Sequence, residues 1–211
     1  MHRMKRAVLA ALVLTFGAAG ARALEINVTV DSSSIPNGTA GFLDFQFSAG
    51  APDAQTAQVV VKNFASSALT LGGITYTNSA SGGPLPANVT ILNDPSKLTN
   101  QAKQSVTYGT SRTMSFTLEF TGNALTTPST AASTFYFNLR NSSDASIFPG
   151  YGIPHLAITF PASGSGVPVI SSIPLIVPEP GSAALGMMAT VILALVLRSK
   201  SRKSRCRSLA A

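Results

Sequence analysis

Met114-Ser115-Phe116-Thr117-Leu118-Glu119-Phe120 decides the fold class of this chain, because apolar and polar side chains alternate there without a break. Successive side chains of a strand point to opposite faces, whereas a helix would scatter these four apolar residues around its circumference. The stretch therefore predicts a strand with Met114, Phe116, Leu118 and Phe120 on a core and Ser115, Thr117 and Glu119 outside. Working outward, Phe135, Phe137 and Leu139 alternate in the same way with Thr134, Tyr136, Asn138 and Arg140, and Leu156, Ile158 and Phe160 repeat the form. Earlier segments 26–30, 42–47, 57–64, 69–76, 88–92 and 104–108 read as strands too, about nine in all. Pro36-Asn37-Gly38, Gly82-Gly83-Pro84 and Phe148-Pro149-Gly150 punctuate them as turns, and no part of this body has helical periodicity. Short strands with one apolar face each, and no helix to cover them, require two sheets packed face to face. The expected fold is all-β, an antiparallel β-sandwich of jelly-roll-like form over residues 24–161, in preference to a closed barrel.

Charge is distributed very unevenly. The 211 residues carry a net charge of +7, which taken alone points to nucleic acid or an anionic surface. Four basic residues, however, lie in the first 22 positions and six in the last 14. In the body over 24–161 five lysines and arginines face seven carboxylates, a net charge of −2, so a nucleic-acid partner is not expected. The sole cysteine, Cys206, lies in the basic tail. The body must therefore hold together by packing alone, without a disulfide or a thiolate metal site.

Residues 1–23 have the three parts of an export signal: basic Arg3, Lys5 and Arg6, an apolar stretch from Ala7 to Phe16, and small Ala21 and Ala23 where a signal peptidase reads. Cleavage after Ala23 would make Leu24 the first mature residue. Residues 162–176, with Ser163-Gly164-Ser165-Gly166 and spaced prolines, read as a linker. From 177 to the end come Val177-Pro178-Glu179-Pro180, a nearly unbroken apolar run over 181–197, and a basic tail over 198–211 containing Arg198, Lys200, Arg202 and Lys203. At ~1.5 Å per residue that run falls slightly short of a ~30 Å hydrocarbon core, a gap that snorkelling arginines close. The basic cluster places the tail in the cytoplasm and the body across the membrane, in agreement with the export signal.

This order of tripeptide, apolar helix and basic end resembles the PEP-CTERM sorting signal of Gram-negative bacteria. The resemblance implies that an exosortase, a membrane cysteine protease-transpeptidase, reads Pro178, Glu179 and Pro180. It further implies a protein held in the inner membrane with its domain on the periplasmic side, then passed to the cell surface or extracellular matrix of an exopolysaccharide-making cell. The basic tail runs on through Ser208-Leu209-Ala210-Ala211, longer than the usual end of such signals. The body, with Gly41–Gly50, the strand ending at Phe64, Leu71-Gly72-Gly73 and the Met114 strand, also resembles other β-rich exported proteins that bear this tail, a group without a catalytic signature.

The body is poor in catalytic groupings, and neither a cofactor nor an enzyme is expected. Its one histidine, His155, reads as a surface or strand-capping residue. Gly-x-Ser-x-Gly is absent, so a Ser-His-Asp triad has only His155 to build on. Asp44 and Glu119 are the candidate carboxylate pair for polysaccharide hydrolysis, although both occupy outward strand positions where a solvated residue is the ordinary case. Asp44, Asp53 and Asp94 are candidate calcium ligands without a calcium-loop spacing. For sugar binding the chain offers no tryptophan and four tyrosines. Tyr136 is the best placed, since its neighbours Phe135 and Phe137 point inward and leave its ring outside. Exopolysaccharide is thus the alternative partner.

Overall fold

The computed structural model describes residues 23–66, 69–110, 113–148, 150–164, 167–173 and 176–180. Ala21, the 181–197 run and the tail with Arg198, Lys200, Arg202 and Lys203 lie outside them. All nine expected segments are strands. In chain order the strands are β1 (Leu24–Asp31), β2 (Ala40–Ala49), β3 (Ala57–Ser66), β4 (Leu69–Thr77), β5 (Ala80–Gly82), β6 (Val89–Asn93), β7 (Asn100–Tyr108), β8 (Thr113–Thr121), β9 (Ser133–Asn141), β10 (Leu156–Phe160), β11 (Val169–Ser172) and β12 (Ile176–Pro180). The only helical element among the described residues is a 3-10 turn, Asn123–Leu125, and no helix there is long and apolar enough to cross a membrane.

The strands form two antiparallel six-stranded sheets. Sheet A has the order β12-β1-β8-β3-β6-β5 and sheet B the order β11-β10-β9-β2-β7-β4. The partners nest: β1 pairs with β8, β2 with β7 and β3 with β6, so strands far apart in sequence lie side by side. Alternation sets the faces. On β8, Met114, Phe116, Leu118 and Phe120 are buried, and on β9 Phe135, Phe137 and Leu139 are fully buried. Seven phenylalanines stitch the sheets together. Phe116 and Phe120 of sheet A meet Phe45, Phe47, Phe135, Phe137 and Phe160 of sheet B at ring separations from 4.9 to 6.3 Å, mostly edge to face. Such pairs add about 0.5–1.5 kcal/mol each beyond the area they bury. Sequence pattern, face and inter-sheet packing are therefore one continuous cause.

The expected linker over 162–176 is corrected by the sheets. Val169–Ser172 is β11, paired with β10, and Ile176 opens β12, paired with β1, so the fold runs to Pro180 and not to 161. Both strands are edges and carry little alternating apolar signal. Val169 to Ser172 are all exposed, and a Pro-rich composition is compatible with an edge strand, where a missing donor disturbs no second neighbour. β5 was hidden for a similar reason, being three residues beside Gly83-Pro84.

Candidate functional site

The outer face of sheet B carries two of the candidate residues, Tyr136 and Asp44. Register puts Ser171, Ala157, Tyr136, Gln46, Gln101 and Thr77 in one row across all six strands. A parallel row holds Asn138, Asp44, Lys103 and Thr75, and another Ser48, Thr134 and Thr159. Tyr136 lies outward as its alternation requires, half-buried between Gln46 and Ala157. The face is thus an array of amides and hydroxyls around one phenol, with Gln46 Nε2 donating to Ser48 Oγ (3.2 Å) and the Thr134 and Thr159 hydroxyls 3.1 Å apart.

At one end of this face a charged group replaces the neutral array. Asp44 is outward by register yet completely buried, contrary to the solvated residue expected. Three neighbours cover it: Arg140 Nε donates to Oδ2 at 2.5 Å, Gln101 Nε2 to Oδ1 at 2.6 Å and Asn138 Nδ2 to Oδ2 at 3.4 Å. Lys103 Nζ reaches Asp144 at 2.5 Å, and that hydrogen bond, with the nearby Arg140 charge, holds the Asp144 carboxyl below the usual carboxylate range. Lys103 also stands 4.9 Å over the ring of Phe42. Beside it lies a shallow cavity of about 230 Å³, bounded by Phe42, the backbone of Gly41 and Gly72, and the residues Thr70, Ser105 and Ser142.

Glu119 lies on the other side of the molecule. It is outward on β8 in sheet A, where Lys62 bridges it (2.8 Å) to Glu25 (2.7 Å), directly opposite Glu119 in register. These two carboxylates hold the Lys62 ammonium above its ordinary pKa, Glu119 contributing most. Asp44 and Glu119 therefore face away from one another across both sheets and cannot flank one glycosidic bond. The three aspartates considered for calcium are likewise separately engaged: Asp53 with Thr130, Asp94 with Ser79 and Ser96, and Asp44 as above. No group of three metal-ligating side chains exists among the described residues.

His155 is fully buried, so the surface position is corrected and the strand-capping role stands. Its Nδ1 accepts from the Leu139 N–H (2.8 Å), which leaves the ring proton on Nε2, facing Ser146 Oγ at 2.8 Å. Ser146 in turn reaches the Phe148 carbonyl at 3.2 Å. A histidine that donates to a serine cannot take its proton, so the Ser146–His155 pair is a structural cap and not a nucleophile and base. Burial, with the Arg140 charge a smaller cause, pushes the His155 pKa down to about 4. Phe148 packs against the ring at 5.3 Å.

Of the tripeptide expected to act in sorting, the backbone is placed: Pro178, Glu179 and Pro180 stand opposite Val28, Asn27 and Ile26 of β1. Sequence reasoning assigned the tripeptide and Tyr136 but missed the Asp44–Arg140 group, because strand alternation reports a face and not what covers it. Compared with protein-family models, with characterised proteins and with solved structures, the chain matches none of them.

Proposed function

We propose that this protein is an exported, non-enzymatic surface or matrix component, sorted through Pro178-Glu179-Pro180 by an exosortase after a signal peptidase has cut behind Ala23. One observation supports this reading above the rest. β1 starts at Leu24, the residue after the expected cut, and β12 carries the tripeptide itself. The two strands are antiparallel neighbours with Ile26 opposite Pro180, so the chain enters and leaves the sandwich at the same end of sheet A. This arrangement suits a domain whose two flanking segments both meet one side of a bilayer. The nested order β1-β8-β3-β6 opposite β2-β7-β4 supports the jelly-roll-like reading, with β9 to β12 added at the edges. Mass spectrometry of cell-bound and released protein from an exosortase-bearing host tests the proposal. Chains beginning at Leu24 and lacking residues beyond the tripeptide are expected, and finding residues 185–211 on every copy would remove the sorting role.

A second reading is favoured by the outer face of sheet B: a module for neutral exopolysaccharide. Sugars present apolar C–H faces to rings and hydroxyls to amides, and the row through Tyr136, Gln46 and Gln101 supplies both. A glycan array with the full chain in detergent tests it, with Tyr136→Ala as the control that should lose binding.

A further inference from the structure

The candidate sorting tripeptide is not a free tail, because every one of its residues is paired in a sheet. β12 lies against β1 through five opposed pairs, from Val30 with Ile176 to Ile26 with Pro180. Prolines at 178 and 180 remove two donors along one side of the strand, so the segment suits an edge and no other position. Among the described residues it is the edge of sheet A, with β1 as its one sheet neighbour. Its first residue, Ile176, anchors it: the side chain joins the core at 2 % exposure and its N–H closes a turn onto the Ile173 carbonyl at 3.0 Å.

We infer that the β1–β12 pairing is a latch, which keeps the tripeptide from a processing protease until β12 peels off the folded sandwich. The inference rests on the sorting reading and adds its regulation. A protease that grips an extended peptide along both of its edges finds one of them already taken by the ladder to β1. An edge strand held by a single ladder opens at far lower free energy than the whole domain, so peeling does not require the sandwich to unfold. Where opening and closing are faster than cleavage, the cleavage rate follows the open fraction. Tightening the latch must then slow processing, and loosening it must speed it.

Thr29 and Val177 are an opposed pair outside the tripeptide, and Thr29 is exposed, which suits a cross-link between facing strands. In an exosortase-bearing host, pulse-chase labelling would compare wild type, Thr29→Cys/Val177→Cys, the single Thr29→Cys control, and Ile176→Ser. The disulfide's presence would be verified by mass and the domain's integrity by its retained β-sheet circular dichroism. Expected are an accumulated, uncut cross-linked chain, wild-type behaviour of the single variant, and processing about 30-fold or more faster for Ile176→Ser, the effect of ~2 kcal/mol or more on a two-state equilibrium. Processing of the verified cross-linked chain at the wild-type rate, or an unchanged rate for Ile176→Ser, overturns the latch while leaving the sorting reading intact. Absence of any cut in the wild type overturns the sorting reading and the latch with it.

Discussion

His155 accepts a backbone hydrogen bond inside the protein, and this sets how the domain responds to acid. Its pKa is about 4 in the fold against 6.5 for the free side chain, so the unfolded chain binds the proton more readily. The associated stability is complete above pH 6.5 and is lost as the pH falls toward 4, about 3 kcal/mol in all. Urea unfolding between pH 7 and 4 should show this decline, and His155→Gln should flatten it from a lower starting stability. Asp44 presents the opposite problem, a buried charge whose partners cannot be spared. Arg140→Ala should destabilise by about 3–5 kcal/mol because the carboxylate stays buried without its cation, whereas Asp44→Asn should cost less. Tyr108 is buried with no partner for its hydroxyl among the described residues, and burial pushes its pKa up. Tyr108→Phe should therefore change stability by less than about 1 kcal/mol in denaturant titrations.

At the scale of elements, central and edge strands differ in what their residues cost. Phe137 of β9 meets Phe45 at 5.0 Å and Phe116 of the other sheet at 4.9 Å, with no exposed surface. Phe137→Ala should cost about 3–5 kcal/mol, read as a lower denaturant midpoint, since the cavity would lie between two sheets that cannot both close on it. Tyr136, its neighbour on the outer face, should be replaceable by alanine with a far smaller stability change, which separates a binding role from a folding one. β11 and β12 show why element boundaries escaped the sequence pattern. An edge strand needs only one row of hydrogen bonds and one or two buried side chains, so exposed Val169 to Ser172 and the proline-bearing β12 leave almost no periodic trace. Alternation was legible where both flanking strands and a facing sheet impose it, as on β8 and β9.

For the molecule as a whole, the nested pairing makes folding a long-range problem. β1 must find β8, and β2 must find β9, before either sheet has a core. Refolding is accordingly expected in milliseconds to seconds, not microseconds, which stopped-flow tyrosine fluorescence can follow in a chain without tryptophan. Fold class, the inward and outward faces of β8, β9 and β10 and the charge asymmetry were determined by the sequence, since each depends only on residue type and short-range period. The tertiary structure decided which outward residues are truly exposed. Asp44 alternates outward like Tyr136 yet is buried, because Arg140 and Asn138 from β9 and Gln101 from β7 close over it. It also separated Asp44 from Glu119 on opposite sheets and set the tripeptide beside β1, from residues some 150 positions apart. Local pattern carries no information on which distant strand supplies a neighbour; that is chosen by the packing of the two apolar faces and the completion of their ladders.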